Sequence, residues 1–158
     1  MDYPKVPTKR NKDDLLTTVE SDINAPMEIV FDVLTDFELF AELDGPVKKV
    51  ITDPNAVKGK GYQSHWKLED PGTGDKWELD EEILHYDRPR QYAYSGHGTN
   101  GKDYTGVHNL SRNPDGSTHH HFNEVHHFIA DPAVYGKSQK GLSDKVKKEA
   151  EKRYNTGI

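Results

Sequence analysis

Side chains alternate along "LLTTVESDIN", with Leu15, Thr17, Val19, Ser21 and Ile23 on one side and Thr18, Glu20, Asp22 and Asn24 on the other. A period of two is that of a half-buried strand. The period then changes. In "APMEIVFDVL", Pro26 suits a first helical turn, and Ile29, Val30, Val33 and Leu34 recur at three and four residues, predicting a short amphipathic helix. "DFELFAEL" predicts a second, with Asp36 as its N-cap and Gly45-Pro46 as its stop.

From Val47 the chain reads as strand and turn. Six segments, "VKKVIT", "GYQSHWKLE", "KWELDEEILHY", "RQYAYSGH", "DYTGVHNLS" and "THHHFNEVHHFI", are separated by "DPNAVKGKG", "DPGTGD", "DRP", "GTNGK" and "RNPDGS". Those separators are rich in residues that turns require, so the segments predict an antiparallel meander. After Asp131-Pro132 a charged helix is expected. Its stripe of Val134, Leu142, Val146, Ala150 and Tyr154 is thin, and Gly136 and Gly141 weaken it by up to about 1 kcal/mol each. Seven strands and one long helix bury their surfaces only if a curved sheet folds around the helix, an arrangement that encloses a cavity. The fold class expected is α+β, with residues 1–12 a flexible arm and 13–158 a single ligand-binding domain.

Composition narrows the function. At 158 residues, with 32% hydrophobic and 30% charged residues, the chain supports one domain with little apolar surplus. A net charge of −6 and the absence of an arginine-rich stripe argue against nucleic acid as a partner. The lack of cysteine excludes disulfides, thiolate metal sites and a cysteine nucleophile. No apolar run approaches a membrane span, so a cytoplasmic protein, monomeric or homodimeric, is the expectation. Neither a Gly-rich phosphate loop nor a nucleophile elbow occurs, and no cofactor is expected.

The order of elements, the run "INAPMEIVFDVLTD" from Ile23 to Asp36, Gly61 opening a strand, "YDRPR" from Tyr86 to Arg90 and "PDGST" from Pro114 to Thr118 resemble the SRPBCC or START-like superfamily. This group includes polyketide cyclases and aromatases, lipid-transfer domains, birch pollen allergens and plant hormone receptors. The resemblance spans residues 15 to 154. It implies a helix-grip fold, a curved seven-stranded antiparallel sheet wrapped around a long C-terminal helix with two short helices after strand 1. It also implies a cavity for a small apolar or aromatic ligand. One departure stands at "ELDGPVKKV", where Asp44 occupies a place at which many cyclase-like members carry an aromatic lid.

Five of the nine histidines fall within "STHHHFNEVHHF", Ser117 to Phe128. Strand geometry divides them. His120, Phe122, Glu124, His126 and Phe128 share one face; His119, His121, Asn123, Val125 and His127 share the other. The first set matches positions that face the cavity in the resembling family. Pairing Leu110 with Thr118 would set His108 opposite His120 and Tyr104 opposite Glu124, and an even slip would keep the same face. Tyr92 and Tyr94 share a face, as do Tyr62, Ser64, Trp66 and Leu68, and the family places both sets at the cavity. The candidate catalytic residues are therefore Glu124, His126, His120 and His108, with Tyr94, Tyr92, Tyr104, Phe122, Phe128 and Trp66 as ligand-binding residues.

A histidine oriented by a carboxylate is an acid–base unit tuned near neutral pH. Cyclase, aromatase or dehydratase chemistry on a polyketide-type ketone needs that base, an acid to release water and donors such as Tyr94 or Tyr104 for an enolate oxygen. The alternative is a non-catalytic carrier of a hydrophobic ligand, or a satisfied polar network without a chemical role. His119-x-His121 has a spacing seen in zinc sites but no third ligand nearby, so no metal site is expected. His65 and His85 read as surface residues.

Overall fold

The computed structural model describes residues 13–157; the expected N-terminal arm, residues 1–12, lies outside them. Alternation at Thr17, Val19 and Ile23 builds β1 (Leu15–Ile23), whose inward side chains are buried and whose outward ones are exposed. Pro26 then turns the chain into α1 (Met27–Leu34), which buries Val30, Phe31, Val33 and Leu34. A single 3-10 turn (Phe37–Leu39) runs into α2 (Phe40–Leu43). Asp36 does not cap this segment through its side chain. Its carboxylate instead accepts a bond from Arg153 Nη2 at 2.9 Å, tying the short helices to the C-terminal one.

Six further strands follow: β2 (Val47–Thr52), β3 (Gln63–Glu69), β4 (Lys76–Asp87), β5 (Gln91–Gly98), β6 (Tyr104–Arg112) and β7 (Thr118–His126). All pairings are antiparallel, and the sheet order β1-β7-β6-β5-β4-β3-β2 brings the first strand beside the last. The long helix α3 (Pro132–Thr156) starts where the Asp131 side chain accepts from the Ala133 N–H at 2.9 Å, and it stops at Gly157 in the left-handed region. It packs on β1 and α1, with Val146 and Ala150 buried. The stripe is shorter than its periodicity suggests, because Val134 and Tyr154 are mostly exposed. This is the helix-grip fold, with the short helices and α3 set against the concave sheet.

The β6–β7 hairpin is where the observed register departs from the expected one. Leu110 pairs with His120 and not with Thr118, so His108 lies opposite Phe122, Gly106 opposite Glu124, and Tyr104 opposite His126. The difference is two residues. Two residues is one full pleat, so every side chain keeps its face and only its neighbour changes.

Candidate functional site: an acidic, aromatic cavity

Between the sheet and α3 lies a cavity of about 600 Å³, within the range that takes a small organic ligand. The inner row of β7 faces it. His120, Phe122, Glu124 and His126 line the space, as does Phe128 just beyond the strand, which ends at His126 and not at Ile129 as its sequence suggests, together with Tyr92, Tyr94, Tyr104, His108 and Trp66. The structure thus brings all ten candidate residues to one cavity. Apolar groups from Leu34, Phe37, Phe40 and Leu79 complete the deep surface.

Two rows running across the strands organise the polar groups. On β5, Tyr94 pairs with Gly106 of β6, and Gly106 pairs with Glu124 of β7. With no Cβ on Gly106 the Tyr94 ring crosses that strand, and its hydroxyl donates to Glu124 Oε2. The second row runs the opposite way. Tyr104 of β6 pairs with Gly96 of β5, Gly96 pairs with Glu81 of β4, and the Tyr104 hydroxyl donates to Glu81 Oε2. A Cβ on either glycine would come within 2.5 Å of its tyrosine ring, at 2.2 Å over Gly96 and 2.5 Å over Gly106. A side chain at either crossing would have to displace the ring, so tyrosine-glycine alternation in "YAYSG" and "YTG" is what makes the two reciprocal rows.

Glu124 is 7% exposed. Its Oε1 accepts from Gln139 Nε2 of α3 at 3.0 Å, so the helix and the sheet each hold one carboxyl oxygen. Burial, the largest influence, pushes Glu124 up to about 7; the bonds from Tyr94 and Gln139 oppose this, and Asp44 reinforces it. Burial likewise pushes Glu81 up to about 8, against the Tyr104 bond and with help from Glu124. Glu81 retains some accessible surface because it opens on the cavity that it lines. Asp44, also at the cavity wall, is raised by burial and partly relieved by Lys145. The three tyrosines are driven well above their ordinary range by burial first and by the glutamates second.

The histidines differ from the expectation. His126 Nδ1 stands 3.6 Å from Glu124 Oε1, beyond a hydrogen bond, and burial lowers His126 to about 4. Thr17 Oγ1 donates to the Glu124 carbonyl at 3.3 Å, so it accepts from His126 Nε2 at 3.3 Å. This order infers a proton on Nε2 and leaves Nδ1 as a lone pair directed at the carboxyl. The group that titrates near neutrality is therefore Glu124, and His126 is a neutral neighbour. Burial lowers His120 to about 4 and His108 well below its ordinary value. They share a bond of 2.8 Å between His108 Nδ1 and His120 Nε2, and His108 stacks on Phe122 with centroids 4.2 Å apart. The tyrosine hydroxyls expected to serve an enolate oxygen are instead committed to the two glutamates.

Two polar residues of the site escaped the sequence reading. Glu81 carried a comparable signal, a carboxylate flanked at two residues by the large apolar Leu79 and Ile83. Gln139 had no comparable signal, because an apolar stripe says nothing of which polar helix position faces a cavity. The outer row of β7 is separate. His119 bridges Asp22 at 2.9 Å and Glu20 at 3.2 Å, and His127 contacts Asp14 at 2.9 Å. Among the described residues, no group of three or more His, Cys, Asp or Glu side chains is placed to hold a metal.

A helix-grip domain with a cavity of this kind defines a class, and the sequence places the chain within it. The chain belongs to the family described as polyketide cyclase / dehydrase and lipid transport, whose model matches residues 15–152. No curated protein sequence matches the chain. Among solved structures it is similar to the Zhui aromatase/cyclase of Streptomyces sp. R1128, with 18% identity, TM-score 0.70, and coverage of 89% of this chain and 95% of that one. It is also similar to the major latex-like protein 151 of Panax ginseng, with 9% identity, TM-score 0.68, and coverage of 87% and 98%. A third, Ara h 8.0201, has 16% identity, TM-score 0.67, and coverage of 90% and 99%. These likenesses establish the fold. No helix among the described residues is long and apolar enough to cross a membrane.

Proposed function

We propose that the protein binds a small, largely apolar or aromatic molecule of polyketide type in this cavity and acts on it by cofactor-free acid–base chemistry of the cyclase, aromatase or dehydratase kind. The observation that carries the reading is Glu124, a buried carboxyl held by Tyr94 and Gln139 and facing the cavity, where burial pushes it up to about 7. A group with that value is present in both forms at neutral pH, as general acid–base catalysis requires.

As carboxylate, Glu124 removes a proton from carbon next to a substrate carbonyl, and the resulting enolate attacks a second carbonyl within the same molecule. The acid so formed returns its proton to the resulting alkoxide, giving a hydroxyl; for dehydration the regenerated carboxylate removes a second proton from the same carbon and delivers it to that hydroxyl, which departs as water. Gln139 uses one N–H on Glu124, and its second N–H serves the enolate oxygen. His126, neutral and beyond hydrogen-bonding distance of Glu124, fills the wall beside it. His108 and His120, stacked and bonded to each other, shape the wall.

The test is conversion of a linear β-polyketone by the unaltered protein and by a Glu124→Gln/His126→Phe double variant. Turnover lost in a variant that melts normally supports the assignment; full activity in the double variant contradicts it. A second reading, a carrier that leaves its ligand unchanged, draws support from the lipid-transport members of the matching family. It predicts retention of the polyketone without conversion by either protein.

A further inference from the structure

The two carboxyls of the cavity are not equivalent in their bonding. Glu124 has both oxygens engaged, by Tyr94 and by Gln139. Glu81 has only Oε2 engaged, by Tyr104, and Oε1 has no hydrogen-bond partner among the described residues. Among the described residues, no lysine or arginine forms an ion pair with either, and His126 beside Glu124 is neutral. The cavity's lysines, Lys76 and Lys102, are exposed at its rim, whereas the lining acids also include Asp44, Asp70 and Asp75. The interior thus contains acceptors and aromatic rings without a matching positive charge.

A carboxyl in an apolar space keeps its proton unless a partner arrives to hydrogen-bond and neutralise the ionised form. A protonated nitrogen does both, and a charge-assisted bond is about twice as strong as a neutral one. Aromatic side chains close by favour the same charge through their faces. Tyr92 and Tyr94 pack with centroids 5.2 Å apart, and Tyr104 meets Tyr94 edge-on at 5.9 Å, so the carboxyls stand in a cluster of three rings.

We propose that the molecule taken into this cavity carries a basic nitrogen, bound as its cation on Glu81 Oε1 beside the tyrosine cluster, with its apolar body toward Leu34, Phe37 and Phe40. The inference rests on the cavity-ligand reading above and specifies the ligand's chemistry. It divides the carboxyls by role: Glu81 anchors, and Glu124 moves protons.

Three probes that share a naphthyl body test it by titration calorimetry: the isosteric pair 2-naphthylmethylamine and 2-naphthylmethanol, and 2-naphthoic acid. The unaltered protein is expected to bind the amine at least about 10-fold more tightly than the alcohol, the acid being weakest. Glu81→Gln preserves shape and removes the charge; it should abolish the preference for the amine and leave alcohol affinity within about twofold. Equal affinity for amine and alcohol in the unaltered protein, or a preference that survives in Glu81→Gln, overturns the inference while leaving the cavity reading in place. Failure of all three probes to bind overturns both. A melting curve for Glu81→Gln that matches or exceeds that of the unaltered protein confirms that any lost binding is local.

Discussion

Tyr94 reaches Glu124 by crossing the backbone of Gly106, a strand lying between them in the sheet. The same crossing occurs in reverse from Tyr104 over Gly96 to Glu81. A side chain at either glycine must displace the ring above it. Gly106→Ala, whose Cβ would lie 2.5 Å from Tyr94 Cζ, is expected to cost about 1–3 kcal/mol of stability. It should also reduce turnover by detaching Tyr94 from Glu124. Chemical denaturation of Gly106→Ala and of the Tyr94→Phe/Gly106→Ala pair checks this, since loss of the hydroxyl in the pair should add little once the ring has moved.

Helix α3 supplies the opposite case. A Cβ at Gly136 meets nothing within 4 Å, and its backbone is helical. Gly136→Ala should therefore stabilise the protein by about 0.5–1 kcal/mol, a rise of roughly 2–3 °C in melting temperature. A fall on scanning calorimetry would mean that this part of α3 needs glycine for another reason.

The bonds from Tyr94 and Gln139 both favour ionised Glu124. Tyr94→Phe or Gln139→Leu should raise its titration further, leaving less carboxylate at pH 7. The rate at pH 7 then falls, and the loss is recovered as the pH is raised. A rate–pH profile displaced to higher pH in both variants is the expected result; a uniform fall without displacement would point to lost binding.

Stability should depend on pH from both directions. Glu81 and Glu124 have folded values of about 8 and about 7, above the ordinary 4.5, so the stability they contribute is complete below about pH 4.5 and lost as pH rises through 7 and 8. His120 and His126 are depressed from 6.5 to about 4; their contribution is present above 6.5 and lost as pH falls through 4. Melting temperature should be highest between about pH 5 and 6.5. In Glu81→Gln the alkaline loss is smaller, so its melting temperature should gain on that of the unaltered protein as pH rises from 4.5 to 8. A constant difference across that range would contradict the buried carboxyl.

Most of the architecture was legible because local signals agreed. Alternation identified β1, turn residues separated β2 to β7, and the proline after Asp131 marked the start of α3. The inner face of β7 followed from the pleat alone, and it survived a two-residue error in the β6–β7 register because that error keeps parity. Properties set by distant parts of the chain were not legible. Asp36 looked like a cap until Arg153, 117 residues away, was seen to take its carboxylate. The Glu124–His126 pair looked like a hydrogen-bonded unit on sequence spacing, yet neighbours two apart on a strand need not touch. Thr17 from β1 turns the imidazole toward itself. Glu81 was overlooked because β4 reads as an acidic strand, "ELDEE", in which one inward carboxylate is hidden among outward ones.

The proposed chemistry depends most on the state of one carboxyl. Carbon-13 NMR of glutamate side chains, with the resonance assigned by Glu124→Gln, would follow Glu124 through pH 4 to 9. The predicted midpoint is about 7, moving upward in Tyr94→Phe. A midpoint near 4.5 that ignores Tyr94→Phe would contradict a buried acid–base group at this cavity wall.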